Sequence, residues 1–167
     1  MNEYDVTLLP LAEEAGEALR RHDLMCATAE SCTGGWIAQM LTSVAGSSHW
    51  FDRGFVTYTN TSKEEMLGVM ASTLEDHGAV SEATVREMAE GALRHSHAQV
   101  AVSVSGVAGP GGGSLEKPVG TVWIAWAAIG RAARARQYQF HGSRQAVRAQ
   151  AVEQALKGVL EIVNELR

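Results

Sequence analysis

Residues 28–35, Thr-Ala-Glu-Ser-Cys-Thr-Gly-Gly, place a carboxylate, a hydroxyl and a thiol directly after the apolar stretch 24–27. The pattern predicts a strand turning into a helix. The first amides of a helix have no internal acceptor, so N–H groups in such a turn face out of the fold. A nucleophile there, such as Ser31, has donors for a developing oxyanion beside it. The same octet also suits a plain structural turn, with Thr33 as N-cap and Gly34-Gly35 permitting close packing.

Other residues could complete a reaction centre. Tyr58 closes a predicted strand, and Lys63 follows Thr61 in the capping box Thr61-x-x-Glu64. With Thr61 as cap, Lys63 stands at the second helical position, where the positive end of the helix dipole disfavours a cation. That favours the neutral amine, a possible general base toward a serine hydroxyl. A solvated surface lysine is the alternative. The segment 105–113, Ser-Gly-Val-Ala-Gly-Pro-Gly-Gly-Gly, runs from a buried strand into a glycine-dense loop, as where backbone amides approach a ligand. It is neither GxGxxG nor a Walker motif, since Lys117 is followed by Pro118. Ser47-Ser48 after Gly46 reads as a turn that could carry a reactive hydroxyl. Arg144 and Arg148 share a helix face, and Arg144 falls in a first turn, where a cation can serve an anion. The six histidines do not assemble, and no G-x-S-x-G elbow is present.

The elements that must position these groups are legible in the pattern. Residues 5–21 form an amphipathic helix, 24–29 a short strand and 33–41 a second helix. Residues 51–59 alternate as a strand, and short helices open at Thr61 and Ser72. Gly78 stops the latter, and Ser81 caps a longer helix to about residue 96. The run 98–105 reads as a buried central strand. Strands at 121–129 and 132–140 form a hairpin, and Gly142-Ser143 opens a last helix to about 166. Helices and strands thus intermix in a layered α/β domain with a mixed sheet, one domain over 1–167.

Composition bounds the function. The 167 residues are 46% hydrophobic and 20% charged, with net charge −5, which disfavours nonspecific nucleic-acid binding. No stretch reaches the ~18 apolar residues of a membrane span. The two cysteines, Cys26 and Cys32, fit neither a disulfide framework nor a zinc spacing. A cytoplasmic, reducing location and a homodimer are the expectations that follow.

Taken together and in order, several segments resemble the CinA C-terminal domain family. They are 29–35 (Ala-Glu-Ser-Cys-Thr-Gly-Gly), Gly46-Ser47-Ser48, 54–58 (Gly-Phe-Val-Thr-Tyr) with Lys63 and Leu67-Gly68-Val69, Gly78-Ala79-Val80-Ser81, the 105–113 loop and 117–122. The resemblance runs from about residue 5 to 165 and is closer to the family's stand-alone nicotinamide-mononucleotide deamidases. It implies a three-layer α/β/α fold. It also implies a serine amidohydrolase with a Ser/Lys dyad and no metal or cofactor, which releases ammonia from the carboxamide of that small nucleotide in pyridine-nucleotide recycling. The separate N-terminal domain of longer members is not expected here. On this reading Ser31 is the nucleophile, with Ser48 as rival, Lys63 is the base, and Tyr58 orients the lysine or helps protonate the leaving ammonia. Glu30, Cys32, Thr33, Gly34, Gly35, Ser105, Gly106, Gly109, Gly112 and Arg144 would bind substrate, with Arg144 and the 106–113 loop on its phosphate. An inactive nucleotide-binding regulatory module, or a hydrolase of another amide, are the alternatives.

Overall fold

The computed structural model describes residues 1–166. Its elements run α1 (Glu3–Arg21), β1 (Cys26–Glu30), α2 (Trp36–Thr42), a 3-10 turn at Ser47–His49, β2 (Phe51–Val56), α3 (Asn60–Leu67) and α4 (Ala71–His77). They continue with α5 (Glu82–Arg94), β3 (Val100–Gly106), β4 (Thr121–Ala128), β5 (Arg134–Gln139) and α6 (Arg144–Glu165). The expected α/β architecture is present. Five strands form one mixed sheet, ordered β2-β1-β3-β4-β5. The first three are parallel, and the β3–β4–β5 meander is antiparallel.

Strand alternation divides the core into two unlike layers. On one face Val100, Val102, Val104, Ile124 and Trp126 meet α1, α2 and α6. On the other, Ala27, Ala29, Ala101, Ala125 and Ala127 meet α5 and its neighbours. Alanine on that second face lets α5 approach the sheet closely, at the cost of less apolar area per residue. Gly91 continues the logic: a Cβ there would run into the backbone of Leu67, so α3 and α5 are in near contact. That contact seats α3 over the carboxyl end of β1.

Cap positions differ from the sequence reading in three places. Thr33 does not cap α2; Gly35 does, with φ of 101°. Thr59, not Thr61, caps α3, accepting from the Ser62 amide. Met70 precedes α4, so Ser72 lies inside that helix. Ser81 and Ser143 cap α5 and α6 as expected.

Candidate active site

The carboxyl end of β1 delivers two neighbours to opposite faces. Glu30 follows the parity of Cys26 and Thr28, toward α2; Ser31 continues that of Ala27 and Ala29, toward α3. The Ser31 amide donates to Val104 O at 3.0 Å, extending the parallel ladder by one residue and fixing the serine at the sheet edge.

Lys63 meets Ser31 from α3. Its Nζ lies 3.0 Å from Ser31 Oγ, 2.9 Å from Thr57 O and 3.2 Å from Tyr58 O. Lys63 is only 1% exposed, among the most buried large side chains of the chain. Its partners are all neutral, and no carboxylate pairs with it among the described residues. Burial therefore holds its pKa below the ordinary lysine range. With Thr59 as cap, Lys63 is the fourth helical residue, not the second, so the cause of the shift is desolvation and not the helix end. Cys32, next to Ser31, is buried too, and its thiol is pushed up to about 11 chiefly by burial. It stays a neutral thiol at physiological pH and gives Lys63 no counter-charge.

Ser31, Cys32, Lys63 and Ser105 form the inner wall of a cleft of about 190 Å³. Gly106, Ala108, Ala79 and Val80 line its sides, and Tyr58 and Arg144 its rim. Ser105 is 1% exposed at the end of β3. Arg144 donates 2.8 Å to Gly109 O and 3.0 Å to Tyr58 Oη. These acceptors are neutral, so the guanidinium keeps its full charge at the mouth. The glycine loop is also tied at its other end, where Lys117 donates 2.7 Å to His77 O at the carboxyl end of α4.

Several expected site residues lie elsewhere. Ser48 is exposed in the turn before β2, at the amino end of the strands, whereas Ser31 and Lys63 stand at the carboxyl end. The length of β2 separates it from Lys63, which removes it as the rival nucleophile. Glu30 does not reach the cleft. Its carboxylate accepts from Thr33 Oγ1 at 2.7 Å, Ile37 N at 2.8 Å and Ala38 N at 3.0 Å. It replaces the side-chain cap that Gly35 cannot supply. Burial pushes the Glu30 carboxyl upward, and these hydrogen bonds oppose the push. Thr33, Gly34, Gly35 and Gly112 also lie off the cleft. Gly109 contributes only its carbonyl to Arg144. Tyr58 accepts from Lys63 Nζ through its backbone carbonyl, while its phenol accepts from Arg144 on the rim. Ala79, Val80 and Ala108 were not anticipated, since small apolar residues on loops carry no chemical signature. Among the described residues, no three His, Cys, Asp or Glu side chains gather as a metal requires.

The CinA C-terminal domain model matches residues 8–163. The chain belongs to the CinA C-terminal domain family. Within it, the chain is 54% identical over 153 residues to nicotinamide-nucleotide amidohydrolase PncC of Escherichia coli K12, covering 92% of this chain and 93% of that protein. It is 58% identical over 151 residues to the Enterobacter agglomerans protein of the same name, covering 90% and 92%. Among solved structures, competence/damage inducible protein CihA from Agrobacterium tumefaciens superposes with a TM-score of 0.91 at 47% identity, covering 94% and 95% of the two chains. No helix among the described residues is long and apolar enough to cross a membrane.

The Glu30 carboxylate gives this family member a stability test. Glu30→Ala strands three donors in a dry turn, so we expect a loss of about 3 kcal/mol. The melting midpoint should fall by about 6–12 °C. An unchanged melt would show that those donors find water instead.

Proposed function

We propose that this chain hydrolyses the carboxamide of nicotinamide mononucleotide, giving nicotinate mononucleotide and ammonia through a Ser31 acyl-enzyme with Lys63 as general base. The observation that carries the reading is the buried 3.0 Å approach of Lys63 Nζ to Ser31 Oγ. The likeness to amidohydrolases named for nicotinamide nucleotides supplies the substrate.

The hydrogen-bond count suits a neutral amine. A neutral Nζ has two N–H bonds and one lone pair. The carbonyls of Thr57 and Tyr58 take the two N–H bonds, which leaves the lone pair for the Ser31 proton. Ser31 Oγ attacks the carboxamide carbon as its proton passes to Nζ. The carbonyl oxygen becomes an oxyanion, held by amides of the 32–33 turn. On collapse the C–N bond breaks, and Lys63 returns the proton to the departing nitrogen, releasing ammonia. Water then attacks the ester, giving a proton to Lys63; as the C–O bond to Ser31 breaks, Lys63 returns that proton to Ser31 Oγ, and the carboxylate product leaves. Arg144 offers its unneutralised charge to the substrate phosphate, with Tyr58 beside it and the glycine loop on the same side. Ser105 offers a hydroxyl to the bound pyridine amide. The reading places the enzyme in the cytoplasm, where free thiols such as Cys26 and Cys32 persist, and as a homodimer, the commonest closed assembly.

Ser31→Ala and Lys63→Ala should each lower kcat by at least about 10³-fold in an ammonia-release assay. Near-native turnover in either would remove the dyad. The pH profile follows from the sign of the Lys63 shift. The active form is the deprotonated amine, so kcat should rise with pH through the lowered lysine pKa and then level off. A rate flat from about pH 6 to 9, with chemistry limiting, would exclude a lysine base. Arg144→Ala should raise KM for the nucleotide by about 10- to 100-fold, the worth of a charge-assisted hydrogen bond, with kcat moved less. Nicotinamide riboside, lacking the phosphate, should not distinguish that variant from the parent.

A further inference from the structure

The segment between β3 and β4 forms an arm whose two limbs hold each other. The Val107 amide donates 2.8 Å to Thr121 O, and the Gly120 amide donates 2.7 Å to Val107 O. Val119 on the returning limb packs so closely over Gly109 and Gly113 that neither position has room for a Cβ. A tight turn closes the arm, with the Ser114 amide 2.9 Å from Lys117 O and the Lys117 amide 3.0 Å from Ser114 Oγ. The arm thus prolongs the antiparallel β3–β4 pair beyond the sheet. Arg144 fixes its root by donating to Gly109 O, one residue past Ala108 in the cleft wall.

The other side wall of the cleft has less support of its own. Ala79 and Val80 follow α4, a helix of seven residues, and belong to no helix or strand. On one side the segment is tied to α5: Ser81 Oγ and Thr84 Oγ1 donate 2.9 Å and 2.7 Å to Gly78 O. On the other it is tied to the arm, by the 2.7 Å hydrogen bond from Lys117 Nζ to His77 O. That carbonyl lies in the last turn of α4, where it has no intrahelical partner. Gly78 makes room for the contact. Its φ is 78°, and a Cβ on it would lie 3.1 Å from Lys117 Nζ. One ammonium therefore joins the wall carried by the sheet, Gly106 and Ala108, to the wall that follows α4, Ala79 and Val80.

We propose that Lys117 is a positioning residue that fastens the end of α4 to the arm and so holds Ala79 and Val80 at a fixed spacing from Gly106 and Ala108, the slot that receives the pyridine ring. This rests on the reading of the Ser31 cleft as the carboxamide site. A wall already in place need not be ordered when a ligand enters, so the tie contributes to affinity. Ser31 and Lys63 are held by contacts of their own on β1, α3 and the 57–58 carbonyls, so the chemical step does not depend on it. The role also differs from that of Arg144. Lys117 shapes the slot for the ring, and its effect is the same whether or not the ligand carries a phosphate.

The test compares Lys117→Met and Lys117→Arg with Ser31→Ala and the parent, well below each variant's melting midpoint. The readouts are kcat and KM for nicotinamide mononucleotide, and the inhibition constant of nicotinamide riboside, which carries the ring and carboxamide without the phosphate. For Lys117→Met, KM and the riboside constant should both rise about tenfold, the worth of one charge-assisted hydrogen bond, with kcat within about threefold. The Lys63 pH limb should stay in place. Lys117→Arg can still donate to His77 O and should recover most of the loss. Both constants within about twofold of the parent in Lys117→Met overturn the proposal. So does a rise in KM with the riboside constant unchanged, which would make Lys117 a phosphate ligand, and so does a loss confined to kcat. If Lys117→Met does not fold, Lys117→Gln, uncharged and one bond shorter, decides by the same two constants. Should Ser31→Ala stay active, the site reading itself falls. Should Ser31→Ala be inactive while Lys117→Met keeps both parent constants, only the role of Lys117 falls.

Discussion

The rest of the site depends on one constraint: an amine is buried where only neutral oxygens can receive it. In water the Lys63 ammonium would be strongly hydrated. Beneath α3 it has one hydroxyl and two carbonyls, and no anion among the described residues. Desolvation without a counter-charge penalises the protonated form and leaves the free base more accessible. A carboxylate in the same place would have restored the proton and removed the basicity. The burial comes from packing some distance away. Leu67, one turn on from Lys63, is fully buried against α5, and Gly91 is what allows that helix so near.

The turn after β1 is held from both sides by opposite charges that do not pair with each other. Glu30, inside, gathers the Thr33 hydroxyl and the first free amides of α2. Arg148, outside, gathers the carbonyls of Cys32 and Thr33. Each satisfies backbone groups that a sharp turn would otherwise leave orphaned. The outcome is a rigid peptide ribbon with Ser31 at its base. Rigidity there matters because electrostatic stabilisation of a transition state needs dipoles already in place.

Charge is unevenly distributed over this acidic chain. Net charge is −5, but Lys63 and Arg144 both line the cleft and have no carboxylate partner among the described residues. Surface ion pairs lie on helix flanks, on β2 and on β5, as in Arg53–Asp52, Arg134–Glu165 and Arg136–Glu161. The global sign of the protein therefore says little about the mouth of its cleft, where the Arg144 guanidinium is held by neutral acceptors.

The sequence by itself determined the element order, the mixed sheet, the helix caps at Ser81 and Ser143, and the pairing of Ser31 with Lys63 as members of one motif series. Those features are local or periodic: alternation, apolar runs and short polar signatures survive without knowledge of neighbours. The opposite faces taken by Glu30 and Ser31 were not read from the sequence, which put both residues in the site; they follow from β1 running to Glu30. Tertiary structure alone decided three things. It moved Ser48 to the wrong end of the sheet, because sequence proximity does not tell which end of a strand a turn occupies. It made burial, and not the helix dipole, the cause of the lysine shift, because solvent exposure depends on α3 meeting α5. And it turned Arg148 from a charged residue on a helix face into a clamp on the turn after Ser31, across an interval of more than 100 residues, a contact that no local pattern encodes.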